Sequence, residues 1–453
     1  MTRKVHFVGI GGAGLSAIAR VLQERGEQVS GSDQARSAYA EALERAGAIV
    51  AYQHRAENVF GADLVIVSSA VPDSNIEVQA ARQAGIRVVH RDEFLGELTE
   101  GYQTVAVAGT HGKTTTSGLI AWLLDQAGLA PSFIVGGILS DFGTNARHGR
   151  GLHFVIEADE YDHAFLALRP TVAVVTNVEH DHPDCYPTFG DFRAAFEAFA
   201  GLVDGSLIVC AEDPEASALR PGAGPLLRYG FGPAAEWRAE EIRGNATGGS
   251  DFLVVRDGRD LGLARNRLPG MHNVLNTLAA LAAVDQLGVP FEQARRALPE
   301  YHGARRRFEI LGEAAGVTVI DDYAHHPSEI RATLSAVRRR YPSAQVWAVF
   351  QPHTYSRVRA LIDGFAMAFA EADHVLVTEI FASREAPDPG INGASVAARL
   401  DHRDVHFEAS LAGAARFLEE RVSAPAVVVT LSAGDGNEVG RLLLQSLSSG
   451  QGG

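Results

Sequence analysis

The sequence predicts a mixed α/β protein of three domains, each built on a mainly parallel sheet with helices between its strands. Short apolar runs alternate with amphipathic stretches through the first hundred residues and again from residue 317 onward, the pattern of doubly wound parallel sheets. A second strand, glycine loop and helix begin afresh near residue 104. The 453 residues suit three domains of roughly 100–200 residues each.

In chain order, strands are expected at 5–8, 28–30, 64–67 and 87–89, with helices at 15–25 and 38–46. The next unit starts with a strand at 104–108 and a helix at 114–127, followed by strands at 154–157, 172–176 and 207–210. Between about 237 and 267 the segments become short and alternating, and Asp257-Gly258 has hairpin-turn chemistry. A small antiparallel patch is the expectation there. A helix rich in alanine and leucine follows at 273–286, and the arginine cluster in 301–307 marks a boundary. The last domain then carries strands at 317–320, 346–350, 375–378 and 427–431. The small polar residues at 448–453 predict a frayed end.

Composition excludes several classes of function. With 46% hydrophobic and 21% charged residues the chain reads as an ordinary globular protein. No apolar run approaches the roughly 18 residues of a membrane span, and the first residues lack a signal-peptide pattern, so a cytoplasmic protein without membrane partners is expected. The net charge of -15 argues against nucleic acid as a partner. Two cysteines, Cys185 and Cys210, make no disulfide framework and have no metal-ligand spacing. Lysine occurs only at Lys4 and Lys113.

Four motifs can carry chemistry. In V-G-I-G-G-A-G, Gly9, Gly11 and Gly14 satisfy G-x-G-x-x-G after a strand, with Gly12 between them and Asp33 about 20 residues on, placed to hold a ribose hydroxyl. The pattern specifies a diphosphate, in NAD or in another ligand. In V-A-V-A-G-T-H-G-K-T-T-T, Gly112-Lys113-Thr114 is the end of a phosphate loop, although Val107 stands where the full pattern has its first glycine. Backbone N–H groups from Gly109 through Thr110, His111 and Gly112 to Lys113 would wrap phosphates. Lys113 would reach the terminal ones, and the Thr114 hydroxyl would face magnesium. Glu157, Asp159 and Glu160, with His180, Asp181 and His182 from a neighbouring strand end, form an acidic group suited to a metal. Finally D-D-Y-A-H-H-P at Asp321 and Q-P-H-T-Y-S-R at Gln351 lie just past strand ends, so Asp322, His325, His353 and Arg357 suggest a further site. Asp321 or Asp322 could instead cap the helix that follows.

These motifs, together with G-M-H-N-V-L-N at Gly270 and R-R-R-F-E at Arg305, occur in the order found in one family. The chain resembles the Mur ligases of peptidoglycan synthesis along nearly its whole length. The resemblance implies a Rossmann-like UDP-sugar domain over 1–101, a central P-loop ATPase domain over 102–304, and a Rossmann-like amino-acid domain over 305–453. It assigns the diphosphate of a UDP-sugar, not NAD, to Gly9, Gly11, Gly12, Gly14 and Asp33, with Ser69 nearby. ATP falls to Gly109, Thr110, His111, Gly112, Lys113, Thr114, Thr115, His272, Asn276, Arg306, Arg307 and Asp322. Mg2+ falls to Thr114, Glu160 and His182, with Glu157 as a rival for the acid's role. Tyr323, His325 and Arg357 would meet the amino acid, and Lys113, Glu160, His182 and His325 would act in catalysis.

The activity so implied joins L-alanine to the carboxylate of UDP-N-acetylmuramate in a monomer or homodimer. The alternative is attachment of a murein tripeptide to the same sugar. Later-acting members carry a carbamylated lysine after D-H, and no lysine occurs from Pro183 to Gly453, which favours the alanine-adding branch. Thr354 stands where some of that branch have arginine, so that contact is not carried over.

Overall fold

Three sheets follow one another along the chain in the computed structural model, which describes residues 2–449. The first has five strands in the order Ile49–Ala51, Gln28–Ser32, Lys4–Val8, Leu64–Val67 and Arg87–His90, all paired in parallel. Helices on both faces bury Leu64–Val67 completely, which is why that stretch reads as a continuous apolar run. Strand order reverses beside Lys4–Val8, and the crevice there opens at the glycine motif. The short edge strand Ile49–Ala51 escapes sequence reading because its three residues are only partly covered.

The second sheet has ten strands. Its parallel core places Gln103–Ala108 between Val172–Val175 and His153–Glu157, which sets the phosphate loop, the acidic group and T-N-V-E-H-D at neighbouring strand ends. The expected antiparallel patch exists as Trp237–Gly244, Ser250–Arg256 and Arg259–Asn266. It continues the main sheet, since Tyr229 and Trp237 pair in parallel. Asp257 and Gly258 both take positive φ, 50° and 75°, as the tight turn of a right-twisted hairpin requires. The other edge carries Ser132–Leu139 and Thr144–Arg147, which the sequence reading lacks. Helices Lys113–Gln126 and Met271–Gln286 lie together on one face, where Ala279, Ala280, Ala282 and Ala283 are fully buried.

The third sheet runs Glu309–Ala314, Val317–Asp322, Ala426–Leu431, Gln345–Phe350, His374–Val377 and Val405–Phe407, parallel except for the first pair. Helix Pro327–Arg340 is capped by His326 and Glu329, not by Asp321 or Asp322. Ser448 and Ser449, expected to fray, belong to the last helix, Asn437–Ser449, and 450–453 lie outside the described residues. Both cysteines are free thiols, and among the described residues no helix is long and apolar enough to cross a membrane.

Candidate active site between the domains

The phosphate loop is shaped by close approach. A Cβ on Gly109 (φ 128°) would stand 2.0 Å from the Thr176 hydroxyl, and one on Gly112 (φ 80°) would stand 2.6 Å from Asn276 Oδ1. Thr176 Oγ1 and Asn177 Nδ2 donate to the His111 carbonyl at 2.5 and 3.2 Å, while the His111 N–H donates to Asn177 Oδ1 at 2.9 Å. Thr110 Oγ1 adds a bond to the Glu179 carbonyl at 2.8 Å. The register Val175↔Ala108 delivers this clamp. Gly112 starts helix Lys113–Gln126 with no side-chain cap, so the first-turn N–H groups are available to an anion.

Lys113 donates to the Gly109 and Thr110 carbonyls at 2.6 and 3.2 Å and to both Glu160 oxygens at 2.9 and 2.8 Å. Burial alone would lower the ammonium's pKa, but Glu160, Asp159 and Glu157 reverse that and raise it, so the lysine stays charged. His182 Nε2 stands 3.7 Å from Glu160 Oε1. The Thr114 hydroxyl turns instead to Glu157, donating to Oε1 at 3.2 Å, and the other Glu157 oxygen accepts from the Gly136 N–H at 2.6 Å. The expected metal group of Thr114, Glu160 and His182 is therefore divided: Lys113 engages Glu160, and Glu157 meets the threonine. Hydroxyl and carboxylate oxygens are the donors magnesium accepts, so Thr114 and Glu157 fit that ion. His180 points away, its Nε2 hydrogen-bonded to the Tyr186 carbonyl at 2.9 Å.

Beside the loop lies a cavity of about 300 Å³ between the second and third sheets. Its walls combine apolar Tyr229, Leu268 and Phe308 with His111, Gly112, Thr115, His272, Asn276, Arg307 and Asp322, all seven expected at a nucleotide. Burial lowers the His272 pKa to about 4, so that imidazole is neutral. Burial raises Asp322 to about 6, against the pull of Arg307 and two backbone N–H bonds from Ala324 and Phe308. Arg306 is absent from the cavity wall. Its guanidinium donates to Asp321 Oδ2 at 3.0 Å and to the Gly434 and Ser432 carbonyls at 3.0 and 2.7 Å, bracing the third domain.

Two ion pairs join the second and third domains across the site. His111 sits with Nε2 3.1 Å from Glu179 Oε2 and Nδ1 3.3 Å from Glu329 Oε1. Glu179 also accepts from the Ser328 hydroxyl at 2.7 Å. Burial opposes a charged His111, but Glu329 and Glu179 outweigh it and raise its pKa to about 9. His111, Glu179 and His326 present ligand atoms within 4.8 Å of one another, a spacing that would admit a metal ion. The His111 imidazolium already supplies the positive charge between the two carboxylates. The second pair is Arg357, whose Nε and Nη2 donate to Asp181 at 2.8 and 3.2 Å while Nη1 donates to His353 Nδ1 at 3.0 Å. Arg357 was expected to meet the amino acid, but its fork is taken by Asp181. Tyr323 and His325 remain, their rings 5.6 Å apart. His325 Nδ1 must donate to the Tyr323 carbonyl at 2.9 Å, which leaves Nε2 as an acceptor. Burial lowers this imidazole's pKa to about 3.

The His111 pair sets a pH dependence. Because the folded pKa is raised, the stabilisation is full below the ordinary 6.5 and is lost as pH rises through about 9. Up to roughly 3 kcal/mol of stability should disappear over that window. Denaturant midpoints at a series of pH values check this. Glu329→Gln should flatten the slope, and a variant with the wild-type slope contradicts the pairing.

Comparison with known proteins places the chain in a family. Residues 4–103 match "Mur ligase family, catalytic domain", residues 107–284 "Mur ligase middle domain" and residues 306–434 "Mur ligase, glutamate ligase domain". The chain belongs to the Mur ligase family. Among relatives of this Mur ligase, a UDP-N-acetylmuramate–L-alanine ligase from Symbiobacterium thermophilum is 45% identical over 99% of this chain and 95% of its own. Another of that name from Salinibacter ruber is 44% identical, covering 96% and 92%. The solved structure of a UDP-N-acetylmuramate-alanine ligase from Thermotoga maritima superposes with TM-score 0.82 at 30% identity over 99% of each chain. A murein peptide ligase from Psychrobacter arcticus gives TM-score 0.71 at 25% identity over 98% of this chain and 99% of its own.

In this Mur ligase the amino-terminal glycine motif is reached by fewer free groups than expected. Asp33 accepts the Gly11 N–H at 2.8 Å and those of Gln34 and Ala35 at 2.7 and 3.2 Å, so it braces the loop and does not stand free for a ribose. Gly9 packs on Ser68, and Ser69 next to it is exposed. Gly12 caps helix Ala13–Glu24 without a side chain, leaving N–H groups beside Gly14. Thr176, Asn177, Glu179 and Glu329 went unassigned in the sequence. Only T-N-V-E directly after a strand, opposite the phosphate loop, could have signalled the first three.

Proposed function

We propose that this chain uses ATP and Mg2+ to join L-alanine to the carboxylate of UDP-N-acetylmuramate through an acyl phosphate, in the cytoplasm and in peptidoglycan synthesis. The observation that carries the reading is a charged lysine at a clamped phosphate loop facing a nucleoside-sized cavity, in a chain that aligns end to end with proteins named for this reaction. The domains are taken as 1–101 for the UDP-sugar, 102–304 for ATP and 305–453 for the amino acid. The partners are small molecules, and the chain acts as a monomer or homodimer. The higher TM-score with the alanine ligase than with the murein peptide ligase, 0.82 against 0.71, favours alanine over a tripeptide.

A carboxylate repels an amine and has no good leaving group, so it must be activated. Lys113 and the loop N–H groups hold the terminal phosphates and draw off charge as the muramate carboxylate attacks the γ-phosphorus in line and the bond from that phosphorus to the bridging β-phosphate oxygen breaks, leaving ADP and the acyl phosphate. Magnesium bound by Thr114 and the neighbouring acids would neutralise the phosphate oxygens. His325, with Nε2 accepting and a pKa near 3, orients the incoming amine but is too weak a base to deprotonate an ammonium group. The fraction of the amine that is already neutral attacks the acyl carbon, the C–O bond to phosphate breaks, and the departing phosphate takes up the proton that the nitrogen loses. Supplying alanine and murein tripeptide separately tests the choice of substrate. Sustained ADP release should need ATP, the UDP-sugar acid and alanine together, and sustained release with the tripeptide in place of alanine would reassign the enzyme.

A further inference from the structure

A second cavity, of about 270 Å³, lies between the first and second domains, and its largely aliphatic lining also includes Gly14, Arg91, Gly136, Glu157 and Asp159. Arg91 opens helix Arg91–Thr99 and supplies the cavity's positive charge. Its Nε is buried without a hydrogen-bond partner. Its one acidic neighbour within 4 Å among the described residues is Asp159, whose Oδ2 stands 3.7 Å from Nη2, beyond hydrogen-bond range. A largely covered guanidinium with an orphan donor is costly unless an anion completes it.

Gly14 testifies to the same group. A Cβ there would stand 2.7 Å from Arg91 Nη1, so the third glycine of the fingerprint makes room for this arginine. One wall of the cavity is the uncapped start of helix Ala13–Glu24, and the other is Glu157, whose carboxylate touches the Thr114 hydroxyl of the phosphate loop. Glu157 and Asp159 would repel an acid entering between them unless a cation met it.

We propose that Arg91 binds the carboxylate of the UDP-sugar acid and presents it to the phosphate loop. The proposal rests on the substrate reading above and adds a positioning residue to it. The guanidinium offers two parallel N–H donors, the geometry a carboxylate accepts in bidentate form. Arg91 lies against Gly14 at the start of helix Ala13–Glu24, and its Nη2 faces Asp159 of the acidic group beside the phosphate loop, so an acid held by the guanidinium lies between the glycine motif and that group.

The test compares two ligands that share the UDP-sugar and differ in the acid. Arg91→Ala should weaken calorimetric binding of UDP-N-acetylmuramate by roughly 10- to 100-fold and leave UDP-N-acetylglucosamine binding unchanged. Arg91→Lys should recover part of the loss. Equal weakening for both ligands would mean that Arg91 serves the diphosphate or the domain contact, and it would overturn the proposal. So would an Arg91→Ala protein that binds the acid as the wild type does. If wild-type protein binds the acid yet forms no product, the ligase reading fails while this binding comparison still decides the role of Arg91.

Discussion

Lys113→Ala should reduce substrate-dependent ADP formation by at least about 10²–10³-fold, the loss expected when one preorganised donor to the developing charge is removed. The sequence has one other lysine, Lys4, at the start of the first strand, so no second lysine can take over. The substitution also leaves Glu160, 1% exposed, without its cation. Removing one partner of a buried pair costs about 3–5 kcal/mol, so a fall in activity alone would be ambiguous. The double variant Lys113→Ala with Glu160→Gln removes both charges and should regain most of the melting temperature without regaining turnover. Recovery of turnover in the double variant would mean that the lysine acts only by balancing Glu160.

Arg357→Ala should have the next largest effect. It strips Asp181 of a two-pronged partner in a pair that is 6% exposed on each side and joins domains whose residues lie 176 positions apart. Burial would raise the Asp181 carboxyl, but Arg357 chiefly holds it well below the usual carboxylate range. A free Asp181 charge in that place opposes closure of the third domain over the cavity. The expected cost is about 3–5 kcal/mol of stability and roughly 100-fold or more in kcat/KM. A double-mutant cycle with Asp181→Asn should return a coupling of at least about 1.5 kcal/mol. A coupling near zero would show that the contact is incidental.

The features that were legible in the sequence are those whose cause is local. G-T-H-G-K-T needs only its own strand, turn and helix, and Asp257-Gly258 needs only its own two dihedrals, so both could be read directly. Asp33 was legible as a residue but not in its role, because the fingerprint does not reveal that the Gly11 N–H would claim its carboxylate. Arg306 and Arg307 are adjacent and alike in sequence, and the fold separates them: positive φ at Arg306 turns it towards Asp321, while Arg307 faces the cavity. Arg357 stands in Q-P-H-T-Y-S-R yet answers to Asp181, and Glu329 reads as an ordinary first-turn acid until His111 is found against it. Contacts that cross domain boundaries have no periodicity or spacing to announce them. Arg91 is the extreme case, a lone arginine whose significance comes from Gly14 and an orphaned Nε.

The central claim is that the phosphate loop transfers a phosphoryl group to the acid before the amine arrives. Mass spectrometry of phosphate released from UDP-N-acetylmuramate labelled with oxygen-18 in its carboxylate tests it most directly. The account predicts that each phosphate formed with alanine and ATP carries one oxygen from the carboxylate. Product formation with unlabelled phosphate would contradict it.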